Sequence, residues 1–260
     1  MDLGLRGKKA FVTGGSAGLG LGIAQGLLRE GAEVAVCGRD RDRLEAAVVS
    51  LRAEGHAHGV IADVTDAGAL GRAVDASVAA LGGLDLLVAN AGGAAGGGLL
   101  DSTPDDWAHT FSLNVLHAAH AVRCAVPHME RQGGGAVLII ASITGWKPGP
   151  TSSYAAAKAA EIHLAATLAQ ELGPRGIRVN ALSPGSVLFE GGGWERFGER
   201  HPERLAAFAR DDFPAGRLVT LDEVRDVACF LLSGRASGVN GADVRVDGAQ
   251  DHPSAGRFFP

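Results

Sequence analysis

Short apolar runs alternate with longer amphipathic stretches along most of the chain. Lys9–Thr13 (KAFVT), Glu33–Cys37 (EVAVC), His58–Ala62 (HGVIA), Leu84–Ala89 (LDLLVA), Ala136–Ala141 (AVLIIA), Ile177–Leu182 (IRVNAL) and Asp243–Val246 (DVRV) read as strands. Most are continuously apolar rather than alternating, the pattern of parallel strands covered on both faces. Between them the spacing predicts helices over Leu19–Glu30, Arg41–Glu54, Ala67–Leu81, Pro104–Gln132, Ser152–Leu172 and Leu221–Leu232. Gly31, Gly55 and Gly82 stand just past three of these, where a helix stops. Strand–helix alternation with right-handed crossovers predicts an α/β chain of the Rossmann type: a doubly wound, seven-stranded parallel sheet with helices on both faces. No linker, repeat or shift in composition divides it, so residues 1–260 are read as one domain.

One segment breaks the rhythm. Val187–Arg217 shows no strand pattern but holds eleven charged residues and five of the chain's thirteen aromatics: Phe189, Trp194, Phe197, Phe208 and Phe213. So long an excursion is read as a substrate lid; the alternative is a surface helix pair with its own small core.

Composition then removes several classes. At 260 residues, 46% hydrophobic and 20% charged, the chain can bury a sizeable core. A net charge of -5 argues against nucleic-acid binding. No run approaches the ~18–20 apolar residues that span a bilayer. Met1–Lys9 has no apolar signal core, so a cytoplasmic location is expected. Cys37, Cys124 and Cys229 are lone and far apart, which excludes a disulfide framework or zinc cluster.

The first predicted strand runs into Thr13-Gly14-Gly15-Ser16-Ala17-Gly18-Leu19-Gly20 and then a helix. Glycines let backbone approach a pyrophosphate, whose charge is favoured by the amides and dipole of a helix N-terminus. Gly14, Ser16, Ala17, Gly18, Leu19 and Gly20 are therefore candidate cofactor contacts. At the end of the second strand stands Cys37-Gly38-Arg39-Asp40-Arg41. Arg39 suits the 2′-phosphate of NADP(H), with NAD(H) as the alternative because an acid, Asp40, is adjacent. Asp40 is explained as the N-cap of the next helix, and Arg41 and Arg43 as its solvated start.

Those motifs, with Asp63-Val64, Asn90-Ala91-Gly92, Asn114, Ser142, Tyr154-Ala-Ala-Ala-Lys158 and Pro184-Gly185, resemble the short-chain dehydrogenase/reductase family in order and spacing over residues ~5 to ~249. The resemblance is greatest to the branch that includes 3-oxoacyl-(acyl-carrier-protein) reductases. It implies that Asp63 and Val64 contact the adenine and that Asn90, Ala91 and Gly92 line the cofactor beside the nicotinamide ribose. It implies further that Pro184 and Gly185 help hold the cofactor, and that Asn114, Ser142, Tyr154 and Lys158 form a catalytic tetrad.

The residues themselves point the same way. The chain's one tyrosine precedes one of its four lysines by four positions, so both share a helix face. A phenol with an ordinary pKa near 10 exchanges protons near neutrality when an ammonium favours its phenolate. Tyr154 is thus the expected general acid–base, Lys158 its electrostatic partner and a cofactor contact, Ser142 the donor to the substrate oxygen, and Asn114 the anchor of a relay water. The implied reaction passes hydride between nicotinamide C4 and a carbonyl carbon, with no metal. His117 and His120 share a helix face but read as packing or surface residues.

Two departures bear on the substrate mouth. Ser142 precedes Tyr154 by twelve positions, one fewer than in many relatives. Phe189 stands where the family often has a threonine, so the Val187 backbone is expected to hold the nicotinamide. Trp146, Phe189 and the aromatic insertion suggest a small-molecule carbonyl or alcohol substrate with a moderately hydrophobic body. By resemblance, the chain is expected to form a homodimer or homotetramer on the helices near 104–132 and 152–172. Arg257-Phe258-Phe259-Pro260 offers a further dock onto a neighbour, the alternative being a frayed tail. The competing functional class is a catalytically silent NADP-binding sensor or scaffold of the same fold, disfavoured by the retained Tyr154 and Lys158.

Overall fold

The computed structural model describes residues 2–149 and 151–250; the C-terminal segment read as a dock lies outside them. Among the described residues nine strands are formed: β1 (Lys9–Thr13), β2 (Glu33–Gly38), β3 (Ala57–Ile61), β4 (Leu86–Ala89), β5 (Gly135–Ile140), β6 (Ile177–Pro184), β7 (Val187–Leu188), β8 (Val219–Thr220) and β9 (Asp243–Val246). Seven make one parallel sheet in the order β3-β2-β1-β4-β5-β6-β9. The helices are α1 (Gly18–Arg29), α2 (Arg41–Arg52), α3 (Ala67–Leu81), α4 (Pro104–Phe111), α5 (His117–Arg131), α6 (Ser152–Leu172), α7 (Gly193–Arg200), α8 (Pro202–Asp212) and α9 (Leu221–Leu232).

The continuous apolar runs are explained by a core on each face. Val12, Val36, Val88 and Leu138 point to one layer, where they meet Ile23 and Leu27 of α1, Leu51 of α2 and Val224 of α9. Their neighbours Phe11, Ala35, Leu87 and Ile139 point to the other, against Val74 of α3, Met129 of α5 and Ala165 of α6. Register keeps the layers continuous, with Phe11 opposite both Ala35 and Leu87. Among the described residues no helix is long and apolar enough to cross a membrane.

Two expectations need correction. The helix read over Pro104–Gln132 is interrupted by one turn of π-helix at Ser112–Leu116, so α4 and α5 are separate. Hydrophobic spacing does not reveal such a turn, which inserts a single residue without ending the rod. The 187–217 segment does contain a strand, because β7 pairs in parallel with β8 over two residues, Val187 with Val219 and Leu188 with Thr220. Beyond it, Trp194 stacks on Phe208 at 4.7 Å between centroids, and Phe208 meets Phe213 edge-on at 5.5 Å. Phe213 is itself buried in the layer beneath α1 and α9.

The chain leaves this insertion through a charged clasp. The Thr220 hydroxyl accepts from the Glu223 amide, while the Thr220 amide donates to the Glu223 carboxylate at 2.8 Å. Arg217 donates to both oxygens of that carboxylate, at 2.6 and 3.0 Å. The guanidinium beside it, then the Thr220 amide, hold the Glu223 carboxyl down to about 2. A carboxyl depressed on folding stabilises above its unfolded value and loses that contribution as pH falls through the folded one. Glu223→Gln is therefore expected to unfold at lower urea concentration than the parent near neutrality. The difference should close as the pH of the denaturation series is taken from above 4.5 towards about 2.

Candidate active site

β1 and β4 are neighbours in the sheet, but the chain leaves them towards opposite faces, into α1 on one side and towards α4 and α5 on the other. A crevice opens where strand order reverses in this way. A cavity of about 440 Å³ occupies it, lined by the segments that follow β1 (Gly14, Ser16, Ala17), β2 (Gly38–Asp40, with Arg43), β3 (Ala62, Asp63, Val64) and β4 (Asn90, Ala91, Gly92), and by Leu113.

The glycine loop forms its floor. Gly14 has φ +63, a left-handed conformation that side chains resist. The Asn90 amide donates to the carbonyls of Thr13 (2.9 Å) and Gly14 (3.2 Å), tying the loop to the end of β4. Gly18, Leu19 and Gly20 open α1 behind it and do not line the cavity. Helices α2, α3, α4 and α9 begin with a side-chain cap, from Asp40, Asp66, Thr103 and Thr220. Ala17, which precedes α1, offers no side-chain cap (nor do the residues ahead of α5, α6, α7 and α8), so the first amides of α1 at the cavity floor are left to an anion. The uncapped N-terminus, the positive φ and the cavity together fit a dinucleotide's pyrophosphate.

Beneath the floor, Thr13 Oγ1 accepts from the amides of Asn90 (2.9 Å) and Ala91 (3.1 Å). It also meets His117 Nε2 at 3.2 Å. The hydroxyl's own proton has two acceptors in reach, the Val88 carbonyl at 3.5 Å and the His117 ring nitrogen. Burial pushes the His117 imidazole down to about 4, so it is neutral near pH 7 and able to accept. His120 turns elsewhere, to the Ala67 carbonyl at 2.8 Å.

At the far end, Arg39 and Arg43 flank the cavity. The Asp40 carboxylate accepts from the Arg43 amide at 3.0 Å, as a cap should. Asp63 accepts from the Thr65 amide (2.9 Å) and hydroxyl (2.7 Å). Those bonds hold its carboxyl below the usual range, with Arg39 adding to the effect.

The remaining candidates gather beyond Gly92. A Cβ on Gly92 would stand 2.8 Å from Asn114 Oδ1 and 3.2 Å from Lys158 Nζ, so only glycine lets the cavity wall lie against both. Lys158 Nζ sits 5.4 Å from the centroid of the Tyr154 ring. The lysine is buried and the tyrosine half-buried. Lys158 also donates at 2.8 Å to the Ile140 carbonyl and at 2.8 Å to Glu161. Asn114 lies in the π turn, where its amide donates at 2.7 Å to each of the Thr110 and Gly93 carbonyls. Both amide protons are thus engaged within the chain. Ser142 stands two residues past β5, its Oγ accepting from the Thr144 amide and hydroxyl, which leaves its own proton to donate.

Pro184 closes β6, and the Gly185 amide donates to the Val246 carbonyl at 2.9 Å. Val187 is buried in β7. The Phe189 ring lies 3.5 Å from where a Gly18 Cβ would be. None of Asn114, Ser142, Tyr154, Lys158, Pro184, Gly185 or Val187 lines the cavity itself.

Sequence reasoning passed over three residues here. Arg43 reads as solvated but lines the cavity. His117 reads as ordinary packing but backs the Thr13 junction. Glu161 gave a signal that could have been used: it is an acid three residues after Lys158 in an alanine-rich stretch.

Residues 14–249 match the family described as Enoyl-(Acyl carrier protein) reductase. Human dehydrogenase/reductase SDR family member 4 is 35% identical over 94% of this chain and 87% of its own length. L-sorbose reductase from Gluconobacter frateurii, solved with NADPH and L-sorbose, superposes with TM-score 0.91 at 31% identity, covering 98% of this chain and all of that one. A 7α-hydroxysteroid dehydrogenase solved with NADH and 7-oxo glycochenodeoxycholic acid gives TM-score 0.89 at 31% identity, covering 97% of each chain.

The Thr13 junction is testable without ligand. Thr13→Val keeps the shape and removes the acceptor of two amides. It is expected to cost about 1–3 kcal/mol in urea denaturation. An unchanged midpoint would show that the hydroxyl is dispensable.

Proposed function

Because the chain belongs to the short-chain dehydrogenase/reductase family, and is on that footing a nicotinamide-dependent hydride-transfer oxidoreductase, we propose that it interconverts a carbonyl compound and a secondary alcohol with NADP(H), Tyr154 serving as general acid–base. The observation that carries this reading is the buried Lys158 ammonium beside the ring of the chain's one tyrosine, directly behind the Gly92 wall. A nearby positive charge favours the phenolate, so Tyr154 Oη can give a proton to a carbonyl oxygen and recover it in the reverse direction. Ser142, with a proton left to donate, holds that oxygen against Tyr154. Asn114, fixed in the π turn, braces Gly93 and the wall beside Lys158.

Gly14, Ser16 and Ala17 with the uncapped α1 would hold the pyrophosphate, Asp63 and Val64 the adenine, and Asn90–Gly92 the nicotinamide ribose. Pro184, Gly185 and the Val187 backbone would border the nicotinamide. When bound, the dinucleotide supplies or receives hydride at its nicotinamide ring. The preference for NADP(H) is supported by Arg39 and Arg43 at the far end of the cavity. The acid an NAD(H) site would use, Asp40, is occupied as a helix cap. Trp146 and Phe189 would wall an apolar substrate, under residues 187–217 acting as a lid. Leu99 and Leu100, ahead of α4, and Leu116, in the π turn, are 66%, 96% and 59% exposed and would be covered in a homodimer or homotetramer in the cytoplasm.

Two measurements test this. Tyr154→Phe should lose about 10²–10⁴-fold in turnover while still binding NADPH. Nicotinamide oxidation would be followed against β-ketoacyl thioesters, cyclic ketones, aldehydes and diketones, and full turnover by the variant would remove the acid–base assignment. Arg39→Ala and Arg43→Ala should each weaken NADPH about tenfold or more and spare NADH, since a hydrogen bond to a charged group contributes about 1.5–3 kcal/mol. Equal losses for both nucleotides would count against the NADP assignment.

A further inference from the structure

Lys158 is not a bare cation beside Tyr154. Its Nζ lies 2.8 Å from Glu161 Oε2, and the two residues are 2% and 0% exposed. The second glutamate oxygen, Oε1, is buried with no hydrogen-bond partner among the described residues. A buried ion pair with an unmet oxygen is a costly way to hold a fold together, because the desolvation of both charges is only partly offset. What the carboxylate does supply is a negative charge in contact with the ammonium, from a residue three positions on along the helix that carries the phenol.

We propose that Glu161 is a positioning residue for proton exchange: its carboxylate holds the Lys158 ammonium at 2.8 Å and offsets its charge, and so sets the pH at which Tyr154 gives up its proton. This rests on the reading of Tyr154 as the acid–base group. In a low-dielectric setting an ammonium paired with a carboxylate favours a phenolate less than an unpaired one does. The other groups around the pair do not compete. From β5 it meets the Ile140 carbonyl. From α5 it faces His117, which burial holds neutral. Burial raises the Glu161 carboxyl, and the Lys158 ammonium beside it opposes that rise.

The chain carries one tyrosine, so ultraviolet tyrosinate absorbance of the folded protein reads Tyr154 alone and needs no substrate. In Glu161→Gln the midpoint of that titration is expected to fall by about one pH unit or more relative to the parent. The acid limb of the alcohol-oxidation profile should move in the same direction. Glu161→Met removes the charge at similar length, should give the same displacement, and serves if the glutamine variant does not fold. A midpoint that stays or rises in a folded variant, with only a general loss of turnover, overturns the proposal and leaves Glu161 a packing residue. Tyr154→Phe separates the two ideas, since turnover surviving in it would defeat the reading of Tyr154 while the titration still decides Glu161.

Discussion

Everything at the candidate site depends on where a parallel sheet must part. β1 and β4 lie side by side, yet their continuations cover opposite faces, so nothing fills the space above their C-terminal ends. The crevice is a consequence of topology before any residue is chosen. What the sequence adds is a floor that can approach a ligand closely and amides that have no internal partner. The Thr13 hydroxyl, shared between the Asn90 and Ala91 amides and the ring of His117, joins the two diverging strands at the point of separation.

The reactive end is built on different terms. α6 is enclosed well enough to bury a lysine and a glutamate, and a cation placed there is felt strongly by its neighbours. Gly92 is the thin partition between that charged interior and the cavity, for any side chain there would strike Asn114 and Lys158. One end of the crevice thus offers backbone amides and guanidinium groups to a long anion. Behind the Gly92 wall, outside the cavity lining, a single polar cluster surrounds a half-buried phenol.

Most of the fold is legible in the chain because burial on both faces imposes one pattern on every strand, and the alternation with helices then fixes the class of sheet. Asp40 is legible too: an acid just before a helix is explained locally, and it does accept from the Arg43 amide. Features that depend on distant partners are not legible. β7 exists only because Val187 finds Val219 across an insertion. His117 is three residues beyond Asn114 in sequence, and nothing local says that it will meet Thr13. Glu161 lies between, since its spacing from Lys158 is plain but its burial is not. The cavity wall is readable as four strand ends, whereas the enclosure of Tyr154 and Lys158 behind it requires the packing of α6.

The π turn at Ser112–Leu116 can also be viewed as a matter of phase. A helix advances by about 100° per residue, so one surplus residue rotates everything after it relative to everything before it. An unbroken rod would present a single buried stripe to a single neighbour. With the offset, α4 leans on α6, while α5 turns Ala121, Ala125 and Met129 towards the sheet and α3. One continuous segment therefore works as two differently aimed helices without a loop between them, and the residue at which the aim changes is Asn114.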